Sequence, residues 1–515
     1  MLTMLSALDN ARRLHGDRPA IVDEEQNFTW SNHVGRIAKA AGLLAGLGIG
    51  PGDRYGIICE NSFRYTELIH AGYWGGGIAV PINHRLAAPE ILHILEDADC
   101  QILILGKPFL SLAETAELSP WKDKTIYVGP ADSEISQPQY EALLSTAPSA
   151  PQYPVEEDDL AILLYTGGTT GRSKGVQLSH KNVYSNGMQV AIAMGAVPTD
   201  IYLHAAPMFH AADLLSTGFT LVGAAHCYLP VFTPTASLEV IQKYSVTATM
   251  KAPTMIIMNL TNSMFGEYDT SSLRIMLYGS SPMAAEWVQK SIEGFPHTQI
   301  VQGYGLTETS PILTFLDWDI HKNAVKTGDT DVLRSAGRPL VGLDMKITDD
   351  NGGDLPLGDV GEVTVRGPQV SKGYLNRPEE TERTFRNGWF HTGDVGRMDE
   401  HGLLYLMDRK KDMIVSGGEN IYTSEVEAAL YQHADIQECA VVGVPDEKYG
   451  EALFAVIVPT EGKKLYEADI INHCRERIGG YKIPRRMDFV TEMPKSAMGK
   501  ILKNELRRSY GSNDG

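Results

Sequence analysis

Apolar runs of strand length alternate with helical patterns through most of the chain, and this alternation leaves few folds open. Arg54-Tyr55-Gly56-Ile57-Ile58-Cys59 and Ile102-Leu103-Ile104-Leu105 read as buried strands, whereas Val34–Leu47 and Pro89–Asp97 carry helical periodicity. Such a sequence of elements predicts parallel sheets covered by helices. A second series begins at Leu160-Ala161-Ile162-Leu163-Leu164 and continues through Ala205–His210, Thr247–Met250, Arg274–Gly279 and Thr298–Gly305. Most of these runs lead into small or polar residues. Ligands of open α/β sheets bind beyond the carboxyl ends of the strands, so those ends are the natural lining of one site.

The texture changes after Gly337-Arg338-Pro339 to short strands with turn signals, such as Gly361–Gly367, as expected of a small β-rich subdomain ending near Gly402–Leu406. A charged run, Asp408–Asp412, precedes a last stretch long enough for a separate small domain. The predicted organisation is α/β: a large N-terminal domain over 1–408, made of two α/β subdomains and the β-rich subdomain, and a small mobile α+β domain over 409–515. Pro130–Glu157, with five prolines, reads as a surface connection. The N-terminal Met1–Arg13 has its charges after its apolar part, unlike a secretory signal, and reads as an amphipathic first helix. Leu214–Phe232 contains too many polar residues for a good spanning helix and reads as soluble core.

A formal net charge of −19 argues against nucleic acid or anionic membrane as partners, while allowing a local basic cleft for phosphates. The five cysteines, Cys59, Cys100, Cys227, Cys439 and Cys474, are scattered without metal-ligand spacing, as expected of reduced thiols in a cytoplasmic protein.

One stretch concentrates the chemistry: Tyr165-Thr166-Gly167-Gly168-Thr169-Thr170-Gly171-Arg172-Ser173-Lys174-Gly175. As a loop leaving a strand end, it would aim backbone N–H groups, three threonine hydroxyls and one ammonium at the same small volume, which suits a polyphosphate. It is neither a Walker A loop, since Ser173 stands where that pattern needs glycine before the lysine, nor a dinucleotide fingerprint. Taken alone, it is equally a glycine-rich turn with a solvated lysine.

Together with Gln302–Thr309, Gly388–Asp394, Arg409–Asn420 and Pro494–Lys500, this stretch resembles the ordered signatures of the adenylate-forming superfamily of acyl-CoA and aryl-CoA synthetases, peptide-synthetase adenylation domains and firefly-type luciferases. The resemblance implies that a carboxylic acid is joined to AMP from ATP with release of pyrophosphate, and that the acyl group then passes to a thiol. It places Thr166, Gly167, Gly168, Thr169, Thr170, Gly171 and Lys174 at the β- and γ-phosphates, although the family usually has serine near Gly167 and proline near Ser173. Glu308 corresponds to the carboxylate that holds Mg²⁺, Thr307 to the α-phosphate contact, and Tyr304 to the aromatic stacked on adenine. Gly279, Ser280, Ser281, Gln302, Gly303 and Gly305 line the nucleotide, while Asp394 and Arg409 receive the ribose.

Lys411 corresponds to a hinge, Lys500 to the lysine that bridges acid and α-phosphate, and Gly417-Gly418 to the coenzyme A channel. The resemblance puts His210, with a catalytic or gating role, beside Ala211, Ala212, Met250, Tyr278, Gly303, Gly305, Pro311 and Ile312 at the acyl group. Asp213 and Lys251 stay open: the first as an ammonium partner in an unclear direction, the second as solvent-facing or as a ligand for a second polar group of the acid. The expected enzyme is an ATP-, Mg²⁺- and CoA-dependent ligase of an aryl acid (4-coumarate, ferulate or benzoate type) or a medium-chain fatty acid. It has no membrane span, and a homodimer is compatible with the sequence. The alternatives are an adenylation enzyme loading a carrier-protein thiol and a catalytically silent nucleotide-binding homologue.

Overall fold

The computed structural model describes residues 1–166, 173–329, 331–409, 412–416, 419–446, 449–495 and 501–511. It has the expected mixed α/β character, with a large N-terminal part and a smaller C-terminal one. By internal contacts the chain divides into one unit of Met1–Met345 with Val365–Phe390, and a second of Lys346–Thr364 with His391–Gly515.

Two sheets organise the first unit. The six-stranded one runs in the order Thr125–Val128, Cys100–Gly106, Arg54–Ile58, Ile78–Pro81, Leu160–Thr166, Lys174–Ser179. Its strands are parallel except the last, which returns antiparallel. The nine-stranded sheet has a parallel centre formed by Gln299–Tyr304, Ile275–Gly279, Ala248–Lys251, Ile201–His204 and Ala225–Tyr228. The antiparallel strand Thr314–Leu316 lies beyond Gln299–Tyr304.

Local chemistry explains the covering helices. Ser62 starts Phe63–Gly75 by accepting from the Tyr65 N–H, and Gly76, at φ +81°, ends it. Ser179 and Asn182 form a reciprocal capping box on His180–Ala193. The amphipathic first helix is Met4–His15, with Met4, Ala7, Leu8 and Ala11 buried. Leu215, Phe219 and Cys227 are core residues, and among the described residues no helix is long and apolar enough to cross a membrane. All five cysteines are buried and unpaired.

Pro130–Glu157 is more than a surface connection. It contains the helix Tyr140–Thr146, whose Tyr140 is buried with its hydroxyl donating to Glu67 at 3.1 Å. Glu67 in turn accepts from Arg36, and Glu141 of the same short helix accepts from Arg36 and Arg64. A buried carboxylate needs such partners, and they draw the segment inward.

In the second unit, Ile436–Asp446 and Gly450–Pro459 form a long antiparallel pair, extended by Ile414–Ser416 and by Arg486–Phe489. Thr423–Leu430 and Glu467–Arg475 pack their apolar residues onto it. The unit also holds a hairpin in which Asp394 stands opposite Arg409.

Candidate active site

The glycine-rich stretch proves to join the two antiparallel strands of a hairpin, with Thr166 paired to Lys174 and Tyr165 to Gly175. Lys174 is therefore the first residue of the returning strand, not part of the loop as the sequence suggested. Residues 167–172, which include Gly167, Gly168, Thr169, Thr170 and Gly171, lie outside the described part. The flanks are anchored on both sides. The Tyr165 hydroxyl donates to Asp97 at 2.7 Å, Arg377 reaches the same carboxylate at 3.3 Å, and His93 Nε2 lies 3.3 Å from the Ser173 carbonyl.

Lys174 donates to Glu380, and its ammonium lies 5.1 Å from the centroid of the Tyr374 ring, within cation–π range. The Tyr374 hydroxyl donates to Glu308 Oε1 at 2.8 Å. Tyr374 thus bridges the cation and the carboxylate that the sequence assigns to phosphate and Mg²⁺. Sequence reasoning missed both Tyr374 and Glu380, because nothing in the residues themselves joins positions so far apart. Glu308 follows Thr307 in a single 3₁₀ turn, and its carbonyl accepts from Ser371 at 2.8 Å.

Close approach, not turn geometry, demands the glycines here. A Cβ on Gly305 would lie 1.8 Å from the Pro311 carbonyl oxygen, and one on Gly279 would lie 2.6 Å from that of Gly303. At the end of Ile275–Gly279, Ser280 takes φ +69°, a left-handed conformation costing about 1–3 kcal/mol in a non-glycine residue. Ser281 follows it, exposed. Tyr304 pairs with Thr314, and its carbonyl accepts from the Leu313 N–H.

Strand alternation divides the residues assigned to the acyl group. Met250, Leu277, Val301 and Ile312 share one buried cluster with Ala212. Gly303 lies on the same face, where a Cβ would come within 2.7 Å of Ile312 Cδ1. Tyr278 belongs to the cluster on the opposite face, with its hydroxyl 3.0 Å from His321 Nε2. Gln302 pairs with Tyr278 on that face. Ala211 packs into a third cluster, while half-buried His210 caps the turn Ala211–Leu215 by accepting from the Ala212 N–H at 3.2 Å.

Asp213 is already engaged. Its carboxylate lies 2.6 Å from His204 Nδ1, His204 Nε2 lies 3.0 Å from His226 Nδ1, and His226 Nε2 lies 3.1 Å from the Thr220 hydroxyl. Burial and the neighbouring imidazole of His204 hold His226 well below the ordinary histidine range.

Lys251 faces neither solvent nor the Met250 side. It is 0% exposed, and its ammonium donates to Ser237 at 2.8 Å and Asn259 at 2.6 Å, with no carboxylate among these partners. Burial alone pulls its pKa down to about 7. An unfolded lysine titrates near ~10.4, so between these values the folded chain holds fewer protons than the unfolded one, and stability rises with pH. The slope is at most about 1.4 kcal/mol per pH unit, and Lys251→Met should abolish it. Urea titrations of both proteins at pH 7.5 and 9.5 provide the check; parallel changes in midpoint would refute this account.

In the second unit, Asp394 is buried and its N–H donates to the Thr392 hydroxyl at 3.0 Å. Glu362 organises the turn before it, accepting from the Gly393 N–H at 3.1 Å and lying 3.2 Å from His391 Nδ1. Glu362 carries no motif signal. The backbone of Arg409 closes the hairpin opposite Asp394. Lys411, Gly417, Gly418 and Lys500 lie outside the described residues.

A large α/β unit with glycine-built strand ends, followed by a smaller α+β unit, is the construction of adenylate-forming enzymes. Residues 8–375 match the AMP-binding enzyme family and residues 425–500 match the AMP-binding enzyme C-terminal domain. The chain is 36% identical to a feruloyl-CoA synthase of an Amycolatopsis species, over 94% of each chain. It is 34% identical to the long-chain-fatty-acid–CoA ligase FadD13 of Mycobacterium tuberculosis, over 92% of this chain and 91% of that one. Among solved structures it is similar to ATP-bound MatB of Rhodopseudomonas palustris (29% identity, TM-score 0.87) and to the amide bond synthetase McbA of Marinactinospora thermotolerans (28% identity, TM-score 0.86). Each alignment covers 98% of this chain and 99% of the other. The chain belongs to the AMP-binding enzyme family. Within it, the chain is an ATP-using acid–thiol ligase of the acyl-CoA synthetase class.

Proposed function

We propose that the acid is an aryl carboxylate of the ferulate, 4-coumarate or benzoate type, converted to its adenylate and then to the CoA thioester. The observation that carries this reading is the similarity to a feruloyl-CoA synthase; the buried apolar side chains of Ala212, Met250, Leu277, Val301 and Ile312, among which the two charged candidates have no place, agree with it. Lys251 lies on the other face of its strand, and Asp213 is bound to His204. That arrangement suits a neutral, flat or aliphatic body better than an amino acid. Similarity to a feruloyl-CoA synthase supports the aryl choice over a medium-chain fatty acid.

In this reading Thr166, the glycine-rich segment and Lys174 receive the β- and γ-phosphates, and Thr307 the α-phosphate. Tyr304 stacks on adenine beside Gly279, Ser280, Ser281 and Gln302, and Asp394 and Arg409 hold the ribose. Glu308 offers hard carboxylate oxygens, the donor type Mg²⁺ takes, and Tyr374 orients them. Bound Mg²⁺ would offset phosphate charge there. Gly417 and Gly418 are assigned to the pantetheine arm, since a residue without a side chain suits a narrow channel.

The test is pyrophosphate release across acetate, hexanoate, laurate, benzoate, 4-coumarate, ferulate and several amino acids, with free acyl-CoA measured in the absence of any carrier protein. Preference for an amino acid would sink the aryl reading. Adenylate formation without acyl-CoA would favour a carrier-protein acceptor.

We also assign 1–408 to a catalytic domain and 409–515 to a domain that turns about Lys411 between the two half-reactions. Proline fixes φ and restricts the residue before it, so Lys411→Pro should impair thioester formation more than adenylation. Equal loss of both, in single-turnover assays, would remove the hinge from Lys411.

A further inference from the structure

Lys174 is already occupied by an internal anion. Its ammonium donates to Glu380 Oε1, and the two side chains are only 13% and 20% exposed, so the pair is largely withdrawn from water. Charges shielded in this way attract each other more strongly than an exposed pair, whose median contribution is close to nothing. Glu380 sits in the first turn of the helix Pro378–Thr384, and Thr381 of that helix accepts from the Tyr374 N–H at 3.0 Å. The same Tyr374 carries the ring beneath Lys174 and the hydroxyl on Glu308. One short element therefore holds the carboxylate and the tyrosine that face the two charged groups assigned to the triphosphate.

We propose that Glu380 is an internal competitor of the triphosphate. It holds Lys174 in the absence of nucleotide, yields it to the β- and γ-phosphates when they arrive, and thereby sets the affinity of the enzyme for ATP and for pyrophosphate. The inference rests on the phosphate-binding role of Lys174. Exchange requires that Glu380 not be stranded when Lys174 leaves. Arg383, one turn further along the same helix, provides for this: its guanidinium lies 3.6 Å from the same Oε1 and is 72% exposed, free of the burial that would fix it in one place. Lys174 gains a polyanion in place of a single carboxylate, and Glu380 keeps a cation. Removing Glu380 thus removes competition without removing a phosphate ligand.

Glu380→Gln should tighten ATP and pyrophosphate on the order of fivefold and leave AMP, which lacks the outer phosphates, unchanged. Glu380→Asp, with its shorter reach, should fall between, and Glu379→Gln, at the exposed neighbouring position, should have no effect. Titration calorimetry of the full-length protein with ATP, AMP and inorganic pyrophosphate reads all of these, together with Lys174→Ala and the double variant. In the Lys174→Ala background Glu380→Gln should no longer tighten ATP. If Lys174→Ala leaves ATP affinity unchanged, the phosphate role of Lys174 itself is wrong. If Lys174→Ala weakens ATP while Glu380→Gln and Glu380→Asp leave it unchanged or weaken it, Glu380 is merely a support for the helix and the competition is refuted. Equal tightening of AMP and ATP would reduce the effect to general charge and would overturn it as well.

Discussion

Lys500→Ala should slow adenylation by on the order of 10²–10³ while leaving the fold intact and thioester formation from a supplied acyl-adenylate close to normal. Adenylation brings a carboxylate onto the α-phosphate of a polyanion, and a positioned cation in a water-poor site offsets that repulsion far more than the same charge would in solvent. Once the acyl-adenylate exists, two anions no longer need to approach, so a lysine with the role proposed for Lys500 is not required in the second half-reaction. Two single-turnover assays separate the possibilities, one from ATP plus acid and one from synthetic acyl-adenylate plus CoA. Equal slowing in both would show that Lys500 is not specific to adenylation. Normal rates in both would take it out of the active site.

Asp394→Ala should raise the Michaelis constant for ATP roughly tenfold or more. A carboxylate accepting from two adjacent hydroxyls forms charge-assisted bonds worth about 1.5–3 kcal/mol each, and each 1.4 kcal/mol is about a factor of ten. The backbone should tolerate the change, because the turn is tied through Thr392 and Glu362 and not through the Asp394 carboxylate alone: the Thr392 hydroxyl donates to the Val363 carbonyl at 2.7 Å, and Glu362 holds the Gly393 N–H. An unchanged constant would remove the ribose from Asp394. Glu362 is the residue to leave alone in that experiment, since its loss would disturb the turn itself.

The α/β architecture was legible because strand-length apolar runs and helical periodicity repeat along the chain. The hairpin closing the glycine-rich stretch was not, since Lys174–Ser179 carries no sign of the direction in which it returns. Tyr278 illustrates a different limit. Its position at a strand end was readable, but which face it takes depends on register with its neighbours, and it lies against His321 on the face opposite Met250. Lys251 shows how far tertiary context outweighs residue type, because a lysine is ordinarily exposed and here Ser237 and Asn259, contributed by two separate helices, make its burial tolerable. The bridge from Lys174 through Tyr374 to Glu308 joins three distant parts of the chain, and pairwise contact of that kind leaves no trace in a single sequence.

The row from Asp213 through His204 and His226 to Thr220 has a direction, and beyond His204 that direction is reversible. With the Thr220 hydroxyl pointing at His226, each group passes its proton toward Asp213. With one proton more, His204 donates from both ring nitrogens, His226 points at Thr220, and the threonine hydroxyl turns to the Ser216 carbonyl, 3.4 Å away. Every group keeps a partner in both orders, so the change breaks no hydrogen bond. The turn that carries His210 is therefore fastened by the His204–Asp213 contact, which keeps its direction whichever way the rest of the row points.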